Sequence, residues 1–287
     1  MIATGNKNKV NHRLNEQLSQ TVLIICLAVI GILMLFPFFW AFSTSLRLPR
    51  DSFSLPPAFF PTSWRWENYV YIFKALPFPK YFMNSIVVVS SIVVISLIFS
   101  SMAAFSFSKL NFKYKNILFM YIICGLMIPF QSIAIAQFLI ISKMKLIDTH
   151  VALIIPYLAN PFGIFLLRQF MAGIPGSYYD AAVIDGCSKF RIYWNIIVPM
   201  SIPVLVTVAF LQFIWQWNNF FAPLIYINST QKFTLPMGMQ TLKGFRSAGS
   251  LAYILAGVML SLVVPTIVYL IGQKHLIKGT LLSGLKS

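Results

Sequence analysis

The sequence predicts an all-α integral membrane protein, with six transmembrane helices and a short polar helix between the fourth and the fifth. Three observations predict it. Of 287 residues, 58% are hydrophobic and only 10% charged, where a soluble domain would carry about a quarter charged residues. Six uncharged stretches approach or exceed the roughly 20 helical residues that cross a bilayer core. The remaining polarity lies between those stretches, most visibly in an island at 178–203 that holds Asp180 and Asp185, two of the six acidic residues.

The first stretch, 21–46, follows a basic tail at 1–20 that carries Lys7, Lys9 and Arg13. At 26 residues it exceeds the apolar core of a signal peptide, which runs to about 15, so an uncleaved first span is expected. The 47–80 loop carries Pro49, Pro56, Pro57, Phe59, Phe60, Pro61, Trp64 and Trp66, the composition of an interfacial belt. The second and third spans are expected at 81–108 and 116–142, joined by the tight basic cluster Lys109, Lys113 and Lys115. The fourth, 151–167, is short at 17 residues; its helix is expected to continue past Arg168, whose long side chain can snorkel to the headgroups. The fifth stretch, 192–231, is too long for one span at 40 residues. Pro199 and Pro203 divide it, because proline is poor inside a helix but acceptable in its first turn, which leaves a span near 201–227. The loop 228–250 contains Pro236, Gly238, Gly244 and Gly249 and reads as flexible. The sixth span is expected at 247–273, followed by a tail at 274–287.

Pro37, Pro129, Pro156, Pro161, Pro223 and Pro265 fall inside expected spans. Membrane helices tolerate proline where neighbours satisfy the freed carbonyls. Bent helices suit a path that opens and closes; they equally reflect the higher frequency of proline in membrane helices.

The net charge of +16 is carried in short loops, where basic residues anchor a protein to anionic headgroups. No basic stripe runs along an amphipathic element, which excludes nucleic acid as a partner. Six spans place both termini on one side. That side carries twelve Lys and Arg against ten, and the dense 109–115 cluster favours its being cytoplasmic. Cys26, Cys124, Cys187 and the histidines His12, His150 and His275 are scattered, so neither a metal site nor a disulfide framework is expected. An ion-coupled transporter would keep carboxylates or histidines within its spans, and none is there. A membrane enzyme would cluster acids, histidines or cysteines at one surface; no such cluster exists. No G-x-x-x-x-G-K-[ST] loop is present to cradle nucleotide phosphates.

The polar island has its own local logic. Ser177 followed by Asp180 is a capping-box pattern with aspartate in place of glutamate, and Asp180 sits favourably at the positive end of a helix. Ala181 and Ala182 permit close approach to another surface. Gly186, after Asp185, can supply a left-handed C-terminal cap. A second short helix is expected at 188–198, with Phe190, Tyr193, Trp194 and Ile197 on one face and Pro199 as its stop. A two-turn helix cannot hold itself in water, because nucleation is too costly. Something packs on it, either the membrane surface or a soluble partner.

The order Asp180-Ala181-Ala182, three residues, Gly186, nine residues, Ile196, one residue, Val198-Pro199 resembles the EAA loop of binding-protein-dependent ABC transporter permeases, Glu-Ala-Ala-x3-Gly-x9-Ile-x-Leu-Pro. Asp180 and Val198 depart from it; the aspartate keeps the charge one methylene shorter. The 199–203 run Pro-Met-Ser-Ile-Pro, the segment Trp217-Asn218-Asn219-Phe220 with Ala222-Pro223-Leu224, the 81–85 opening of the second span (Tyr81, Asn84, Ser85) and the terminal Ser283-Gly284-Leu285-Lys286 are similar to the carbohydrate-uptake branch, nearest its maltose-G type.

The resemblance implies a non-catalytic permease subunit in a bacterial plasma membrane, with a permease domain over 21–273 and a cytoplasmic coupling loop at about 172–200. It implies a second permease, two cytoplasmic ATPase subunits that hold the ATP and Mg, an extracytoplasmic sugar-binding protein and membrane lipid as partners, and no cofactor on this chain. Coupling would involve Asp180, Ala181, Ala182, Asp185, Gly186 and Pro199. Substrate-path candidates are Gln212, Trp215, Trp217, Asn218 and Asn219, which equally suit interfacial anchors or helix–helix hydrogen bonds. The 228–250 loop resembles the segment that reaches toward the binding protein. Permeases for polyamine, phosphate or peptide share the loop motif and stay open as an alternative.

Overall fold

The computed structural model describes residues 4–48, 51, 59–243 and 251–284. Its helices, in chain order, are α1 (Thr4–Ser45), α2 (Glu67–Ala75), α3 (Phe78–Lys109), α4 (Lys115–Cys124), α5 (Phe130–Lys143), α6 (His150–Ile154), α7 (Pro161–Ala172), α8 (Gly176–Ile184), α9 (Lys189–Ile192), α10 (Val198–Met200), α11 (Ile202–Trp217), α12 (Phe221–Tyr226), α13 (Leu235–Gln240) and α14 (Leu251–Gly284). No strand occurs among the described residues. Lipid permits this architecture because a helix closes its backbone hydrogen bonds internally. Among the described residues, three helical segments are long and apolar enough to cross a membrane outright: Ser19–Ser45, Phe78–Lys109 and Leu251–Lys274. Two bent pairs, α6–α7 at 41° and α9–α11 at 79°, raise that number to five if each is one span.

The chain divides into two compact units, Met1–Ile72 with Arg246–Met259, and Phe73–Phe245 with Leu260–Ser287. In the first unit, helix begins at Thr4 rather than near 21, so the basic tail is continuous with the first span. The span's apolar window is not buried against the chain at all. Its C-terminal end is instead tied down by the segment that follows. Asn68 donates to the carbonyls of Ser45 and Arg47, both at 2.8 Å, which satisfies groups that a helix end leaves open. Ser43 donates to the Phe59 carbonyl at 2.6 Å, and Ser45 and Tyr69 share a hydrogen bond of 2.8 Å. Phe59, Phe60 and Trp66 lie against Phe36, Phe39 and Phe42 of α1 while staying largely exposed. Pro49, Pro56 and Pro57 lie outside the described residues.

The second unit is built around α3. Ser85, Val88, Val89, Ile92, Ser96, Ser100, Ser101 and Ala104 form its buried face, spaced three and four apart as one side of a helix requires. Small residues dominate the later half of this stripe, which lets neighbouring helices approach closely. Phe105, Leu167, Met171, Ile192, Tyr193, Ile197, Val204 and Val208 complete one core from α3, α7, α9, the π-helical turn Tyr193–Ile197 and α11.

The two ends of α3, a 32-residue helix about 48 Å long, are held differently. At its C-terminal end Lys109 donates to the Ile174 carbonyl at 2.6 Å, and Ser101 bonds the Tyr193 hydroxyl at 2.7 Å. At its N-terminal end Asn84 donates to the carbonyls of Gln231 and Phe233, and the Leu235 amide donates to the Ser85 hydroxyl at 2.7 Å. Gly238 sits so close to Tyr81 that a Cβ there would meet the ring at 2.1 Å. Asp148 completes this end. Its carboxylate accepts from the amides of Asn228 and Ser229, the Ser229 hydroxyl and the Lys232 ammonium.

Several expectations are corrected. The 116–142 stretch is not one continuous helix: α4 ends at Cys124 and α5 starts after Pro129, which lacks an amide and holds its predecessor out of the helical region. The fifth span is likewise two pieces, α11 and α12, broken at 218–220. Pro199 does not stop the preceding helix, which runs to Met200; the bend falls at Ser201. The described part of the 228–250 loop is not flexible but pinned, and carries α13; Gly244 and Gly249 lie outside the described residues. Helix also continues past 273 to Gly284. Arg168 does lie inside a helix that continues past it to Ala172, as expected.

These hydrogen bonds, led by those from the Ser229 hydroxyl and amide, hold the Asp148 carboxyl well below the usual carboxylate range. Its stabilising effect is therefore complete above roughly pH 4, the ordinary carboxylate value, and fades as the pH falls further. Thermal unfolding of Asp148→Asn in detergent is expected to give a lower Tm than the unchanged chain at pH 7, with the gap narrowing below about pH 4.

Candidate functional site

The polar island folds as two short helices at the C-terminal end of α3. The start of α8 is not capped as the sequence suggested: Pro175 is its N-cap and no side chain caps it, so Ser177 lies inside the first turn. The other end is capped as expected. Gly186 has φ +75°, its amide donates to the Val183 carbonyl at 3.0 Å, and the Cys187 amide donates to the Ala182 carbonyl at 2.9 Å. This pair of bonds is the Schellman arrangement. Nothing lies within 4 Å of where a Gly186 Cβ would be, so glycine is required there by backbone conformation and not by space. Ser188 then caps α9 by accepting from the Arg191 amide at 3.3 Å.

This arrangement sorts the island into an inner and an outer surface. Ala182, Ile192, Tyr193 and Ile197 are buried in the core. Asp180, Ala181, Asp185, Gly186 and Pro199 are exposed. The expected single apolar face of the second helix is split. Tyr193 and Ile197 point inward, while Phe190 and Trp194 are 65% and 58% exposed, because the wider π-helical turn redistributes side chains around the axis. Ile184 beside Asp185 is 85% exposed. The outer surface thus carries two carboxylates and several large apolar side chains.

The five substrate-path candidates do not form one site. Gln212 is buried and accepts from Asn160 Nδ2 at 3.0 Å. Trp217 is buried, stacked on Phe213 and edge-on to Phe82. Asn218 returns its amide to the Ile214 carbonyl at 2.8 Å. Asn219 donates to the Tyr157 hydroxyl at 2.8 Å and to Gln216, and accepts from the Ala222 amide. Only Trp215 among the five keeps an open aromatic surface, half exposed and edge-on to Phe162 at 5.4 Å.

Three residues in these contacts escaped the sequence reading. Asn160 caps α7 by accepting from the Gly163 amide at 3.0 Å while it donates to Gln212. An asparagine directly before a proline is a helix-start signal that could have found it. Tyr157 and Gln137 lie in apolar sequence and meet Asn219 and Tyr226 only in the folded chain. Among the described residues no group of histidines, cysteines and carboxylates could hold a metal ion.

A family model for the inner membrane component of binding-protein-dependent transport systems matches residues 96–276. The arabinooligosaccharides transport system permease protein AraQ of Halalkalibacterium halodurans is 34% identical over 270 residues, covering 92% of this chain and 96% of the relative. The trehalose/maltose transport system permease protein MalG of Thermococcus litoralis is 29% identical over 275 residues, covering 94% and 98%. The fold is shared with the crystal structure of a bacterial ABC transporter involved in the import of the acidic polysaccharide alginate, at 22% identity and a TM-score of 0.79 over 91% of this chain and 98% of that one. With a model matched across most of its helices and relatives aligned along nearly its whole length, the chain belongs to the family of binding-protein-dependent transport system inner membrane components.

Proposed function

We propose that this chain is the permease subunit of an ATP-driven sugar importer, forms half of the membrane pathway, and receives ATPase motion through α8 as its coupling helix. The observation that carries this reading is the outer surface of the island. A Schellman-capped helix presents Asp180, Asp185 and Ile184 outward at one end of α3, while the Asp148 latch closes the other end. A partner docked on the island can therefore push on a core that holds one end of α3, and α3 itself runs unbroken to the far end.

In this reading the α4–α5 pair counts as one broken span, which makes six, and both termini and the island are cytoplasmic. A second permease completes the pathway. Two ATPase subunits bind ATP and Mg, and an extracytoplasmic binding protein delivers the sugar. Ala182 and the buried face of the π-helical turn tie the island to α3, α7 and α11, so displacement of α8 by the ATPase moves those helices as a body. ATP and sugar then bias the same two-state element from opposite ends, as coupling requires. The sugar class is supported by relatives named for arabinooligosaccharide and for trehalose and maltose, and by Trp215, whose open ring suits the apolar face of a sugar.

Four measurements test the reading. Gly186→Val forces a β-branched residue into left-handed backbone, whereas asparagine tolerates it. In proteoliposomes holding the assembled transporter, Gly186→Val is expected to cut uptake at least about tenfold, the effect of roughly 1.4 kcal/mol, and Gly186→Asn to keep most of it. Full uptake by the valine variant would sink the coupling role. Trp215→Ala is expected to weaken sugar transport with little change in Tm. Trp217→Ala is expected to destabilise the fold by about 3 kcal/mol or more. The purified chain by itself is expected to hydrolyse no ATP, checked by phosphate release.

A further inference from the structure

Beside the island, where α7 ends and α4 begins, the structure holds a cleft of about 630 Å³ lined by Asn111, Tyr114, Lys115, Asn116, Ile117 and Arg168 among others. Two cations face it and no carboxylate lines it. Arg168 donates through Nη1 to Gln169 at 3.2 Å, and its Nε is buried without an acceptor. The guanidinium is held over the Phe119 ring, 4.6 Å from its centre, a contact that orients it without neutralising it. The Lys115 ammonium donates to the Leu110 carbonyl at 2.8 Å, which uses one of its three hydrogens. Both cations line the same cleft. Like charges placed together around an open space, with a buried donor left unpaired, call for an anion.

The shape of the cleft narrows the anion. α4 starts at Lys115 with no side-chain cap, so the amides of Asn116 and Ile117 lack intrahelical acceptors and add donors suited to phosphate oxygens. Directly beyond the cleft, Ile117, Met120 and Tyr121 are 67%, 67% and 79% exposed. These three residues share one helix face, and they offer an apolar wall next to the charged cleft. A polar anionic group at the cleft with hydrocarbon along that wall matches a lipid.

We propose that this cleft binds a phosphate group, supplied by the headgroup of an anionic phospholipid. Lys115 and Arg168 are the charged donors, the first turn of α4 adds neutral ones, and the exposed α4 face carries the acyl chains. The site stands independently of the transport reading, since it needs no ATPase, sugar or second permease.

Native mass spectrometry of the full chain tests this. The chain, purified in a neutral detergent, is incubated separately with dioleoyl phosphatidylglycerol, dioleoyl phosphatidylcholine and inorganic phosphate. Phosphatidylglycerol is expected to be retained in preference to phosphatidylcholine. Lys115→Gln and Arg168→Gln are each expected to weaken that retention about fivefold, the order of one basic side chain's attraction to anionic headgroups. Arg168→Lys is expected to keep most of it, and Lys113→Gln, which alters a cation placed over Tyr114, to leave it unchanged. Retention of inorganic phosphate with the same sensitivity to both glutamine variants would uphold the phosphate site and assign its ligand to solution. Equal retention of the two lipids without phosphate binding, or retention untouched by Lys115→Gln, would overturn the proposal. Should Arg168→Gln fail to fold, as judged by thermal unfolding, Lys115→Gln at the edge of α4 decides the matter.

Discussion

A helix broken at membrane depth frees amides and carbonyls that hydrocarbon cannot satisfy, and the rest of this structure depends on how those groups are answered. Asn68 takes up the carbonyls at the end of the first span. Asn160 caps the second half of the bent α6–α7 pair and is itself held by Gln212. Asn219 sits in the break between α11 and α12, accepts from the Ala222 amide in the first turn of α12 and reaches Tyr157. Asparagine suits this task because one short side chain offers both an acceptor and two donors. At these three places the chain is therefore fixed, and the corners there are defined.

The corners matter because the long helix α3 passes them unbroken. Its small-residue stripe brings α7 and α11 into close contact, and its two ends meet very different surroundings. One end is closed by Asp148, Asn84 and Ser85 holding the 228–235 segment. The other supports an island whose inner residues are core and whose outer residues are charged and apolar without cover. A chain with six acids places two of them on that outer surface, where their desolvation cost is lowest until a partner covers them. A third, Asp148, is spent on the opposite latch.

Much of this was legible in the sequence. The all-α membrane class followed from composition, and the left-handed cap at Gly186 followed from one glycine after a helix-sized run. The candidate site was legible as a motif but not as a surface. Phe190, Tyr193, Trp194 and Ile197 share a face at helical spacing only if the helix is regular, and the π-helical turn made it irregular. The pinned 228–243 segment was misread because prolines and glycines signal loops locally, while the bonds that order it come from residues about 80 and 150 positions away in sequence.

By itself the sequence determined which segments could enter lipid, where a glycine would cap the island's first helix and which short motif would stay polar. These are local properties, set by the solvation of each side chain and the backbone geometry of proline and glycine. Tertiary structure alone decided which polar side chains are spent inside the fold and which remain for a partner. Gln212, Asn219 and Trp217, which in sequence suit a substrate path and helix–helix contacts equally, make contacts within the fold, while Asp180, Asp185, Trp215 and Arg168 keep open surface. That division depends on contacts between residues far apart along the chain, which no local pattern encodes.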